Sequence, residues 1–144
     1  MKLYTSYFAQ LRNFPPNLVG LSTAIWNPKW LQPERDKNGA IWLDVPPLKP
    51  GHECDGLCAG KCNPKHPDDC QFLITYKQQL DKIDFQKFMM NLSRLEEQIK
   101  QEENLSHVDF AFLVYETPQN PCSERRIIQP WLYEHGIEVS EWKK

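Results

Sequence analysis

Five cysteines carry the most reactive chemistry in this chain of 144 residues, and their spacing divides them into two groups. Cys54, Cys58, Cys62 and Cys70 follow the pattern C-x3-C-x3-C-x7-C, with His52 and His66 alongside. Zinc takes four thiolates at about 2.3 Å, and a compact loop containing Gly56 and Gly60 can turn closely enough to converge them. The cofactor expected on this spacing is a structural zinc, in a closed site that holds the loop in place rather than catalyses. An iron–sulfur cluster, disulfides and reduced free thiols stay open as alternatives. The radical iron–sulfur spacing C-x3-C-x2-C is missed by one residue between Cys58 and Cys62.

The fifth cysteine, Cys122, stands apart, with Glu116 before it and Arg125 and Arg126 after it. An apolar strand precedes this group and a helical pattern follows. Ligands of open parallel sheets bind at strand carboxyl ends, and a helix N-terminus offers free amides to an anion. Arg125 would clamp a phosphate or carboxylate, with Arg126, Ser22 and Thr23 as further ligand-binding groups. Glu116 would orient the ligand or take a proton, and Cys122 would act as nucleophile or as packing. The expected partner is a nucleotide or nucleic-acid end. A purely structural reading makes Cys122 a buried residue and the arginines surface charge. Thiol phosphatase chemistry is excluded because C-x5-R would need arginine where Ile128 stands. A zinc deaminase needs H-x-E, and neither that motif, a G-x-S-x-G elbow nor a phosphate-binding glycine loop is present.

The elements that must position these residues are legible in outline. Leu3–Ala9 reads as a strand, and Leu18–Ser22 as a short buried one. Residues 31–70 hold six prolines and four cysteines, with a short strand expected at 40–45. So long a stretch without regular elements needs something to hold it. Phe72, Tyr76, Leu80 and Ile83 fall on one helix face. Asp84 suits the N-cap of a second helix striped with Phe85, Phe88, Met89, Leu92, Leu95 and Ile99. Val108–Tyr115 is the strongest strand, apolar enough to be covered on both faces. Ser123–His135 is helical, with Pro130 expected to kink or break it and Gly136 to end it. A short strand over 137–139 closes the chain. The fold class expected is α/β, one domain over 1–144 with a small, mostly parallel sheet flanked by helices. The metal-binding insert, 31–70, is expected to add little to its core.

Composition narrows the function. A net charge of −2 excludes a bulk polyanion binder. Residues 1–50 nevertheless carry six basic against three acidic side chains, interleaved with Trp26, Trp30 and Trp42. Such interleaving suits nucleotides or single strands, whereas aromatics in general anchor cores. No apolar run reaches the length of about 18 residues that a membrane span needs. Met1–Ser6 lacks the apolar core of a signal peptide, which points to the cytoplasm and reduced thiols.

Several of these residues together resemble the domain of unknown function 488 family of bacteria and phages. The resemblance is carried by Tyr115-Glu116-x-Pro118-x3-Cys122-x2-Arg125, followed by a helix with Trp131-Leu132. Tyr4-Thr5-Ser6-Tyr7-Phe8, Leu21-Ser22, Pro28-Lys29-Trp30 and the helix pair with Tyr76, Leu80, Ile83 and Asp84 extend it over most of the chain. The family's usual C-H-R is replaced by Cys122-Ser123-Glu124-Arg125, without histidine, and its usual lysine by Thr117. The resemblance implies a small α/β domain and no established reaction. Whether the chain is an enzyme or a non-catalytic binding module stays open.

The zinc expectation is checked by metal analysis of freshly purified protein. One zinc per chain is the expected result, acid-labile sulfide would replace zinc by a cluster, and no stoichiometric metal would remove both.

Overall fold

A computed structural model describes residues 1–33, 35, 39–57 and 63–144. Cys58 and Cys62, two of the expected zinc ligands, lie outside the described residues. Five strands form one sheet: β1 (Leu3–Tyr7), β2 (Leu18–Ser22), β3 (Trp42–Asp44), β4 (Asp109–Val114) and β5 (Val139–Glu141). Their spatial order is β3-β2-β4-β1-β5, and every pairing is parallel. Among the described residues three α-helices accompany the sheet: α1 (Gln71–Asp81), α2 (Phe85–Glu103) and α3 (Arg125–Glu134). The fold is α/β, as expected.

The apolar run Phe110–Val114 takes the middle of the sheet, where both its neighbours and both its faces remove it from water. Successive strand residues point to opposite faces, so the sheet divides the core in two. On one face Val19, Leu21, Phe110 and Phe112 pack with Leu80, Phe88, Leu92, Ile128 and Trp131 from the helices. Phe88 lies 6.4 Å from Phe112 and 5.3 Å from Trp131, ring centre to ring centre, so aromatic contact links β4, α2 and α3. On the other face Leu113 and Trp42 are covered by Phe8, Leu11, Leu31 and Ala40.

Local signals act as their chemistry requires. The Asp84 side chain accepts the Lys87 N–H at 3.1 Å and caps α2, which ends at Asn104 in the left-handed conformation, φ 55°. The last strand begins at Val139 rather than 137, and β1 stops at Tyr7 because Phe8–Asn13 turns into a 3-10 helix that buries Phe8 and Leu11. The last helix begins at Arg125 rather than Ser123 and runs through Pro130, which occupies its exposed side.

The expectation that residues 31–70 add little to the core needs correction. Leu31, Ala40, Trp42, Val45, Leu48 and Cys54 are all buried. A sheet edge has flanks that must be covered whatever the chain's regularity, and this segment covers those of β2 and β3. Side chains of α1 hold it there. Tyr76 Oη donates to the Leu48 carbonyl at 2.5 Å, Gln79 Nε2 donates to the Lys49 carbonyl at 2.7 Å, and the Gly51 N–H donates to Gln79 Oε1 at 2.8 Å.

At Gly20 the packing of Leu113 and Leu11 leaves no room for a side chain. A Cβ there would lie 2.6 Å from Leu113 Cδ1 and 2.9 Å from Leu11 Cδ2, both in buried side chains. Overpacking of this kind costs about 1–3 kcal/mol, so Gly20→Ala is expected to lower the unfolding free energy by that amount in a denaturant titration. An unchanged midpoint would show that Leu11 and Leu113 yield freely.

Candidate functional site

The carboxyl ends of the central strands gather most of the residues singled out above, but with partners that change their roles. Ser22 ends β2 and Thr23 follows it, both fully buried. Thr23 Oγ1 donates to the Leu113 carbonyl at 2.9 Å, while Ser22 Oγ donates to Asn27 Oδ1 at 2.5 Å. Asn27 Nδ2 in turn donates to Asp44 at 3.0 Å, and Lys49 pairs with Asp44 at 2.8 Å. Lys49 and Asn27 hold the Asp44 carboxyl below its ordinary range, although burial works in the opposite direction. These hydroxyls are spent on holding the loop after β2 against β3 and β4.

Arg125 opens α3 and is buried. Its Nε and Nη2 donate to the two carboxylate oxygens of Glu141 at 2.6 and 3.2 Å, and Nη2 also donates to the Glu116 carbonyl at 3.0 Å. Thr5 Oγ1 donates to the same Glu141 carboxylate at 2.7 Å, and Gln129 Nε2 donates to Thr5 at 2.7 Å. The fork geometry that matches a phosphate here matches an internal carboxylate. Arg126 is exposed and paired with Asp68 at 2.8 Å. Cys122 is disulfide-bonded and therefore presents no thiolate, and its N–H donates to Asn120 Oδ1 at 2.9 Å. Cys54 and Cys70 carry free thiols. Burial, followed by the charges of Glu53, Asp55 and Glu124, pushes the Cys54 thiol up against the lowering effect of a Gly51 backbone bond. Among the described residues no group of three or more Cys, His, Asp or Glu side chains is placed to hold a metal.

Two carboxyls at this end have no such compensation. Glu116 Oε2 is buried and, among the described residues, has no hydrogen-bond partner. Glu124, half-buried one residue before α3, is pushed up to about 7 by burial and then by the charge of Glu116, against the opposing pull of its own N–H and of Arg125. It lines a cavity of about 350 Å³ with Ala24, Ile25, Trp26, Pro50, Phe72 and Tyr115. Trp26 is 81% exposed at the mouth, and Tyr115 Oη donates to the Trp26 carbonyl, joining the loops after β2 and β4. The structure thus brings Glu116 and Arg125 together and adds Glu124, Glu141 and the Trp26–Tyr115 rim. The one sequence signal for Glu124 was its place beside Arg125 in the loop that leads into α3.

No protein-family model matches this chain, and no curated protein or solved structure is found similar to it. Among the described residues no helix is long and apolar enough to cross a membrane.

The Cys122 disulfide has a direct measure. Of five cysteines, at most three should react with a thiol reagent in denatured, unreduced protein, and all five after reduction. Five reactive thiols before reduction would remove the disulfide and make Cys122 a candidate nucleophile again.

Proposed function

We propose that this chain binds a small molecule at the carboxyl ends of β2 and β4 and exchanges a proton with it through Glu124, backed by Glu116. One observation carries the reading: two carboxyls that have no salt-bridge partner among the described residues sit together beside an aromatic-walled cavity, at the end of the sheet where α/β domains bind ligands. A carboxyl poised near neutrality is what general acid–base chemistry uses. Proton exchange of this kind serves either an enzyme or a pH-responsive binding module.

The phosphate pocket expected from the sequence has less support. Arg125, Arg126 and Lys49 are each ion-paired within the chain, so no guanidinium or ammonium of this group is held ready for an anion. A nucleotide would have to be read through its base rather than its phosphate. A structural zinc rests on the cysteine spacing alone. The Cys122 disulfide takes one of the four cysteines expected to hold it, so that disulfide and a four-thiolate zinc exclude one another, and the metal analysis decides between them.

Glu124 binds its proton more tightly in the folded chain than in the unfolded one, so folding stability falls as pH rises from about 4.5 to about 7. Each tenfold gain in proton affinity on folding corresponds to about 1.4 kcal/mol, and partial exposure trims the total to roughly 2 kcal/mol. Glu124→Gln is expected to remove that fall, leaving the variant more stable than the parent at pH 8 and little changed at pH 4. Carboxyl carbon shifts from labelled glutamate give the direct reading. One resonance should titrate near 7 in the parent, vanish in Glu124→Gln and move down in Glu116→Gln. If every glutamate titrates below about 5, the proposal fails.

A further inference from the structure

We infer that the molecule taken by this cavity is a small organic cation with a flat face, such as an aromatic amidine or amine, held between the Glu124 carboxylate and the Trp26 ring. The inference rests on the proposal that this cavity is the ligand site, and it adds the sign of the ligand's charge.

Three observations lead there. First, Glu124 is the one acidic or basic residue among the described lining of the cavity, the remainder being Ala24, Ile25, Trp26, Pro50, Phe72 and Tyr115. An incoming anion would meet that carboxylate with no compensating charge in the wall. Second, the groups that face Glu124 from the surrounding elements are predominantly acidic or neutral. Among the described residues they are Glu116 from the end of β4, Cys54 from the insert and Tyr76 from α1, with Arg125 of α3 as the single cation. That cation is already engaged in two hydrogen bonds to Glu141, so its charge is shared. A second negative charge in this pocket is opposed, and a positive one relieves the repulsion between Glu116 and Glu124. Third, the rim is aromatic. Trp26 is 81% exposed and Tyr115 51%, their loops joined through the Tyr115 hydroxyl and the Trp26 carbonyl. An indole face next to a carboxylate attracts cations through its ring quadrupole, and delocalised cations stack on it. A single proton on the carboxyl pair does the same work as the ligand, so the proton and the ligand compete for the site.

That competition sets the pH dependence. With Glu124 titrating at about 7, a cation whose own charge does not change should bind about tenfold more weakly at pH 6 than at pH 8.

Calorimetry on the full chain tests the inference with three matched probes: benzamidinium, its neutral isostere benzamide, and benzoate. The expected result is that benzamidinium binds at millimolar or better affinity, benzamide and benzoate at least tenfold more weakly, and benzamidinium loses about tenfold between pH 8 and pH 6. Trp26→Ala and Glu124→Gln should each weaken benzamidinium at pH 8, and Glu124→Gln should also abolish its pH dependence. Should Glu124→Gln fail to fold, the pH dependence of the parent and the Trp26→Ala variant still decide. Equal binding of benzamide and benzamidinium, with the Trp26 indole resonance shifted by both, overturns the cation assignment while leaving the ligand site intact. Preferential binding of benzoate overturns it in favour of an anion site. No binding by any probe overturns it as well, and the glutamate titration described above then judges the proton-exchanging pair separately.

Discussion

The side-on pairing of Arg125 with Glu141 organises the carboxyl end of the sheet. It joins the first residue of α3 to the last residue of β5, and through Thr5 and Gln129 it reaches β1 and returns to α3. Both charges are largely removed from water, and a pair in that setting is retained because removing either partner strands the other, at a cost of about 3–5 kcal/mol. The guanidinium also donates to the Glu116 carbonyl, so the same ion pair sets where the loop after β4 leaves the sheet. The position of one carboxyl at the site and the closure of the sheet are one electrostatic event.

That arrangement leaves the site itself underneutralised. Among the described residues the basic side chains nearby are committed: Lys49 to Asp44, Arg126 to Asp68, Arg125 to Glu141. Glu116 and Glu124 are left to face each other, and burial prevents water from screening them. A structure serving stability alone would place a lysine or a neutral residue at one of the two positions. Local destabilisation kept beside a cavity is the usual physical mark of a binding or reacting site.

Much of the fold was legible in the sequence because it depends on periodicity and punctuation. The apolar run at 110–114, the stripe through Phe88, Leu92 and Ile99, and the cap at Asp84 are all local signals, and all act as read. Leu31, Ala40 and Leu48 were not legible as core, since a proline-rich segment has no period and is buried only because a sheet flank needs covering. At the site, Arg125, Glu116 and Cys122 could be picked out by residue type and place in a loop. Their roles could not, because Arg125 is engaged by Glu141, Cys122 is disulfide-bonded and Glu116 is set against Glu124. Glu141, sixteen residues beyond Arg125 on a strand of only three residues, gives no pattern of its own. The charge repulsion at Glu124 is likewise a property of burial, which sequence spacing does not encode.

The strand order has a consequence for the time course of folding. The first strand pairs with β4, Leu3 opposite Phe110, and with β5, Leu3 opposite Val139, whereas the most local pairing in the sheet is β2 with β3, Gly20 opposite Trp42. As the chain is synthesised, β1 has no partner until more than a hundred further residues have been made. Until then its buried apolar residue, Leu3, and its unpaired backbone depend on other cover. Sheets closed by such distant contacts form slowly. Through that interval the nascent chain carries an open sheet edge, the condition in which chaperone binding or aggregation competes with folding.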